Sequence, residues 1–196
     1  MRYYADITAG SLKVAETRII AALLLEECDE SGWHVAIDKE NRLQAHSPAT
    51  ATRLARLLKA RLQTMDSRLW RLVRDSSLVV ATHACLAAAV KHSALLGDFL
   101  DTVVREQYRL YSPTLPLGLW ERYIGECRSR DPDMPVWSDS TVRRLRSSVY
   151  QSLAQAGYID STRSLRLQTV HIAREILNYL GDRHETYVLR CIGVSQ

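Results

Sequence analysis

Arg143, Arg144 and Arg146 fall within four positions, with Ser147 and Gln151 one and two helical turns beyond Arg143. A guanidinium group offers a planar fork of donors that matches phosphate oxygens and the O6/N7 edge of guanine. The chemistry in reach is therefore recognition of a polyanion rather than the making or breaking of bonds. Arg163 and Arg166 follow in a short polar stretch, and a second basic set, Arg53, Arg56, Lys59 and Arg61, lies in the other half of the chain. Between positions 51 and 74 seven basic residues stand against one acid, Asp66. Charge runs on helices are ordinarily solvated faces, so that reading stays open beside the binding one.

The first arginine set needs a helix to present it, and residues 137–159 supply one. Ser138 suits an N-cap, Trp137 and Val142 fall at the positions of a hydrophobic staple, and Gly157 can close the helix in the left-handed region. Val142, Leu145, Val149, Leu153 and Ala156 make one apolar stripe at helical spacing. Arg143, Arg144, Ser147 and Gln151 share the opposite side, and Arg146 sits at the margin. A helix of this length spans about 27 Å at 1.5 Å per residue, enough to lie in a DNA major groove. Gly157-Tyr-Ile, the polar 160–164 and the alternating Leu165-Arg166-Leu167 follow. This order resembles the recognition helix and wing of a winged-helix domain; an ordinary helical hairpin with a solvated arginine face is the alternative.

Catalytic motifs are absent. There is no P-loop, no G-x-S-x-G, no H-E-x-x-H and no G-x-G-x-x-G. Pro132-Asp133 could open a nuclease motif, but the downstream Glu/Asp-x-Lys cannot exist because the last lysine is Lys91. His83, Cys85 and His92 do not stack on one helix face, so no metal ligand set forms there, and no cofactor is expected. Asp98 and Asp101 could share a face, though capping explains Asp98 more simply. Trp33, Trp70, Trp120 and Trp137 each lie beside an apolar stripe and read as core rather than base-stacking platforms. The expectation is a non-enzymatic protein with no small-molecule substrate.

Composition agrees without deciding the matter. The chain has 196 residues, 46% hydrophobic and 24% charged, with a net charge of +4; these are ordinary globular values. The bases are 22 Arg and 4 Lys, a bias that suits phosphate binding but also follows from a GC-rich genome. Cys28, Cys85, Cys127 and Cys191 form no C-x-x-C pair, which excludes zinc-ribbon and disulfide-framework readings and fits a reducing cytoplasm. The start of the chain lacks a secretory apolar core, and the apolar runs 19–25 and 78–90 are too short to cross a bilayer. A cytoplasmic protein without a membrane partner is expected.

Along the chain, 3–10 reads as an ordered leader, and Ser11 as the cap of a helix to about 28. The stretch 33–37 is too brief to assign. Ser47-Pro48 starts a helix to about 64, Asp66-Ser67 a short one, and 78–96 a helix buried all round, where Lys91 is the lone charge. Asp98 opens a further helix to about 111, and Ser112-Pro-Thr-Leu-Pro is the best domain boundary. Helices follow at 117–129 and 170–180, and the alternation over 186–192 predicts a closing strand. The fold class is mainly α: an N-terminal helical bundle (1–111) and a C-terminal winged-helix-like domain with a small β-hairpin (116–196).

Four segments carry a likeness to a known family. Tyr4-Ala-Asp-Ile-Thr-Ala-Gly-Ser-Leu12, Asn41-Arg-Leu-Gln44, Ser47-Pro-Ala-Thr-Ala51 and Gly97-Asp-Phe-Leu100 resemble the BrxA family of BREX phage-defence systems over nearly the whole chain. The resemblance implies a small all-helical cytoplasmic protein, encoded with a methyltransferase, an ATPase and a phosphatase-like component, with a non-enzymatic DNA-binding role. It carries no catalytic residues and does not establish the winged helix. The combined expectation is an accessory protein that binds double-stranded DNA through its arginines. An adaptor that meets acidic surfaces of other BREX components, or a helical RNA binder, are the alternatives.

Overall fold

The helix α5 (Leu78–His92) occupies the centre, and every residue from 80 to 90 is buried. A helix with no polar side must be enclosed by others, and here α1 (Val14–Leu25), α3 (Pro48–Gln63), α4 (Ser67–Asp75), α10 (Arg174–Asp182) and α11 (Thr186–Ile192) pack around it. Its alanines let those neighbours approach closely. The computed structural model describes residues 2–195. The shorter α2 (Glu30–His34) runs into a π-helical turn at Val35–Lys39, which resolves the segment the sequence left unassigned as helical.

At Ser93 the chain bends by 107°. Ser93 caps the next helix, its Oγ accepting from Leu96 N at 3.4 Å. That helix runs as α6 (Ala94–Asp98), a π-helical stretch (Phe99–Val104) and α7 (Arg105–Arg109). Phe99, the sole phenylalanine, meets Trp120 and Tyr123 edge-on at 5.2 Å each and Tyr150 at 6.0 Å. Trp120 and Tyr123 lie on α8 (Gly118–Arg130), and Tyr150 on α9 (Asp139–Gln155). One hydrophobic cluster runs from Tyr3 to Val194 and includes Leu115 of the segment 112–116. No single helix among the described residues is long and apolar enough to cross a membrane.

The structure corrects the sequence reading at several elements. Residues 186–192 form a helix, not a strand, because Val188, Cys191 and Ile192 are buried together on one face. The first helix begins at Val14, not at Ser11, since Lys13 takes a left-handed φ of 51°. The last long helix begins at Arg174 rather than 170. The expected hairpin is reduced to single bridges, yet it gains a third segment. Leu115 N donates to Leu165 O at 2.8 Å and Leu167 N to Pro113 O at 3.1 Å, while Asp160 N donates to Arg166 O and Gln168 N to Tyr158 O. Residues 165–168 are thus flanked by 113–115 and 158–160.

Two contacts define testable stresses in this core. A Cβ on Gly97 would stand 2.3 Å from the Tyr187 hydroxyl, which donates to Asp98 Oδ1 at 2.8 Å. Gly97→Ala is expected to lower stability by about 1–3 kcal/mol, and to cost clearly less in a Tyr187→Phe background; equal costs in a chemical-denaturation cycle would refute the steric account. The buried His83 accepts from Ala173 N through Nδ1 at 3.1 Å, so it must be neutral, and burial holds its pKa below 6.5. A folded pKa below the unfolded one contributes stability at higher pH that is lost as pH falls through this window. His83→Gln should therefore gain in Tm relative to wild type as pH drops from 7 to 5, and a pH-independent difference would contradict the sign.

Candidate nucleic-acid interface

On α9 the sequence sorts cleanly into two sides. Ser138 Oγ accepts from Thr141 N at 3.3 Å and starts the helix, and Trp120 Nε1 donates to Val142 O at 3.1 Å, fastening that first turn to α8. Leu145, Val149, Tyr150 and Leu153 are buried, whereas Arg143, Arg144, Ser147 and Gln151 are exposed. Arg146 sits between and pairs with Glu121 of α8. Its guanidinium is committed to a neighbouring helix, so it holds α9 in place and is less available to a ligand than its neighbours.

A cleft of about 590 Å³ opens on the exposed side of α9, where Arg143, Arg144, Ser140 and Ser148 meet Arg53 from α3 and Thr8 from the leader. The two basic sets, more than 80 positions apart at their nearest members, thus share this surface through Arg53. A second, smaller cleft of about 220 Å³ is lined by Ser147, Tyr150, Gln151 and Thr162, joining α9 to the polar turn after it. Asp160 organises that turn: its Oδ1 accepts from Ser161 N, Ser164 Oγ and Arg166 N at 2.6–3.0 Å. These bonds hold the carboxyl below the ordinary carboxylate range, the Ser164 bond most of all. Arg163 and Arg166 project from it exposed. Among the described residues no ion pair engages Arg53, Arg56, Arg143, Arg144, Arg163 or Arg166.

The rest of the second basic set divides. Arg56 is exposed, Lys59 is half-buried with its ammonium 4.2 Å from the Trp33 ring centre, and Arg61 is 3% exposed. Arg61 is a correction: it cannot reach a ligand on the surface. Its guanidinium donates to Ser11 O at 2.6 Å and Gly10 O at 3.1 Å, and burial lowers its pKa to about 10. Asp98 is also not a cap; its buried carboxylate accepts from Arg2, Tyr3 and Tyr187. Asp101 pairs with Arg105 and Arg190. No group of three His, Cys, Asp or Glu side chains among the described residues could hold a metal ion.

Thr8, Ser140 and Ser148 were missed by sequence reasoning. The serines carried a signal, since both share the wheel face of Arg144. Thr8 carried none, being more than 130 positions from the helix it joins.

Fold and surface together define a helical protein that offers one arginine-bearing helix followed by a polar turn, with Arg143, Arg144, Arg163 and Arg166 exposed. The model of the BrxA family matches residues 1–184. The chain is 53% identical over 194 residues to the BREX protein BrxA of Paramagnetospirillum magneticum (strain ATCC 700264 / AMB-1), covering 99% of this chain and 98% of that one. It is 33% identical over 184 residues to the BREX protein BrxA of Escherichia coli O9:H4 (strain HS), covering 92% and 86%. The crystal structure of an uncharacterized protein from Magnetospirillum magneticum matches with a TM-score of 0.93 at 50% identity over all of both chains. The chain belongs to the BrxA family of BREX phage-defence systems.

Proposed function

We propose that this protein is a non-enzymatic, cytoplasmic, double-stranded DNA-binding accessory component of its BREX system, working without metal or cofactor. The observation that carries the reading is the convergence of exposed Arg143 and Arg144 of α9 with Arg53 of α3 on one cleft, without an ion pair to any of the three among the described residues, while the turn after α9 bears the exposed Arg163 and Arg166. The order of elements supports it. A helix (94–109), an extended segment (113–115), α8, α9 and two more extended segments around a polar turn follow the order of a winged-helix unit, with α9 in the place of the recognition helix. On this reading the unit takes in the helix before Ser112, earlier than the boundary read from sequence.

Arg143 and Arg144 meet phosphates or guanine edges, Ser147 and Gln151 lie along the groove floor, and Arg163 and Arg166 touch backbone from the wing. Phosphate contacts dominate, so affinity falls steeply with salt, with a slope of about −0.9 per phosphate neutralised. Replacing Arg143 and Arg144 by Glu is expected to abolish a duplex gel shift at moderate salt while leaving the helical circular-dichroism signal unchanged. Unaltered binding would overturn the site assignment. If the wild type shifts no duplex but co-purifies with another BREX component through these arginines, the adaptor reading replaces this one; preferential competition by duplex RNA would favour an RNA ligand.

A further inference from the structure

The leader is held far more firmly than an N-terminal tail needs. Arg2 N and Tyr3 N donate to Asp131 at the end of α8, and the Tyr3 hydroxyl donates to Asp98 at 2.8 Å. Asp6 accepts from Ser93 Oγ at 2.7 Å, at the bend after α5. Gly10 O and Ser11 O are gripped by Arg61, and Leu12 N donates to Gln155 Oε1 of α9 at 3.0 Å. Between the anchors at Asp6 and Gly10 only three residues remain. Ile7 of that turn is buried and Thr8 is exposed, facing the cleft of Arg53, Arg143 and Arg144.

Arg61 is the unusual member of this set. A buried guanidinium is expensive to desolvate, and its Nε finds no partner. It lies on the apolar stripe of α3 among Leu54, Leu57, Leu58 and Leu62, where a leucine would pack without that penalty. Its two strong bonds both go to leader carbonyls, so what the arginine secures is the path of the leader.

The position of that path follows from the wheel of α9. Arg144, Ser148 and Gln155 fall along one edge of its exposed stripe, and Arg146 and Tyr150 along the other. The leader and Arg53 line a cleft with Arg144 and Ser148 of the first edge that extends across the stripe to Arg143, the wing residue Thr162 lines one with Arg146 and Tyr150 of the second that extends to Gln151, and Ser147 lines both. A helix with side chains is about 10–12 Å across and the major groove about 12 Å wide, so a helix seated there brings both flanks against the two backbones.

We infer that the leader is the second arm of a two-sided grip: Thr8 and Arg53 receive one phosphate backbone beside α9, the wing receives the other, and Arg61 positions the leader for that contact. This rests on the duplex-binding reading above. Phosphate is met by the Arg53 guanidinium as a counter-ion and by the exposed Thr8 hydroxyl, which exchanges its bond to Ala5 O at 3.1 Å for the phosphate, as a neutral donor, so the two differ in how salt affects them.

Salt-titrated binding of a labelled duplex to the full chain separates these roles. Arg53→Ala is expected to flatten the slope of log affinity against log salt by about 0.9. Thr8→Val is expected to lower affinity several-fold with the slope unchanged. Arg174→Ala, at an exposed arginine outside both clefts, should change neither. For Arg61 the conservative Arg61→Lys keeps the charge and loses the fork. It should weaken binding as Thr8→Val does, and adding Thr8→Val to it should cost nothing further, whereas a merely structural role would leave the two effects additive. If wild type binds and Arg143→Glu/Arg144→Glu abolishes binding, but Arg53→Ala and Thr8→Val match wild type in slope and affinity, the leader arm is refuted and the helix alone carries binding. If wild type binds no duplex, the duplex-binding reading itself fails.

Discussion

A carboxylate taken out of water must be answered by donors or it destabilises the fold. Asp98, 5% exposed, is answered by the Arg2 guanidinium and by the hydroxyls of Tyr3 and Tyr187. Those donors come from the two ends of the chain, so a single buried charge draws the leader and α11 onto α6. The geometry is possible because Gly97, one residue before, leaves room for the Tyr187 ring to lie against the helix. Tyrosine recurs in the same role elsewhere. Tyr123 donates to Leu95 O, Tyr150 to Pro116 O and Tyr158 to Ile192 O, each burying a ring and giving its hydroxyl to a backbone carbonyl of another element. The Tyr123 bond, with the Phe99 ring against Trp120, Tyr123 and Tyr150, joins the helices on either side of residues 112–116 into one cluster.

The arginines sort by what they meet. Arg2, Arg68, Arg146, Arg183 and Arg190 are drawn into ion pairs between elements, Arg105 into one along its own helix, and Arg61 is spent on backbone carbonyls. Exposed pairs of this kind contribute little individually, so their value is chiefly in register. What distinguishes Arg53, Arg143 and Arg144 is less that they lack a partner than that they converge from two distant helices on one open cleft. Like charges held near one another repel, and folding alone gives no reason to gather them; an anion arriving from outside does.

Much of this was legible in the sequence. Ser47, Asp66, Ser77 and Ser138 cap helices where side-chain oxygen, helix former and apolar stripe agree, and α5 announced its burial by holding no charge before Lys91. The failures have local causes. In 186–192 alternation of β-branched residues outweighed the i, i+3, i+4 spacing of Val188, Cys191 and Ile192, and the short helix won because that face had α5 and the π-helical stretch to pack on. Arg61 was grouped by charge with Arg53 and Arg56, although at i+7 from Leu54 and i+3 from Leu58 it sits on the buried stripe. Reading the wheel before the charge would have turned it inward.

The contacts that escaped sequence altogether join residues with no periodic relation: Asp6 to Ser93, Gln155 to Leu12, Thr8 to the α9 cleft. Hydrophobic periodicity reports which face of a helix is covered, but not by what. The irregular leader has no period to read, and its burial depends on groups 50 to 143 positions away. It is also one of the four stretches whose residues resemble the family. A segment without its own hydrogen-bond ladder has to be fixed residue by residue, here through Asp6, Gly10 and Ser11 to particular partners. The bonding of the leader to Arg61 and Gln155 thus has a plain physical cause: an irregular segment keeps one path only where side chains from other elements define it.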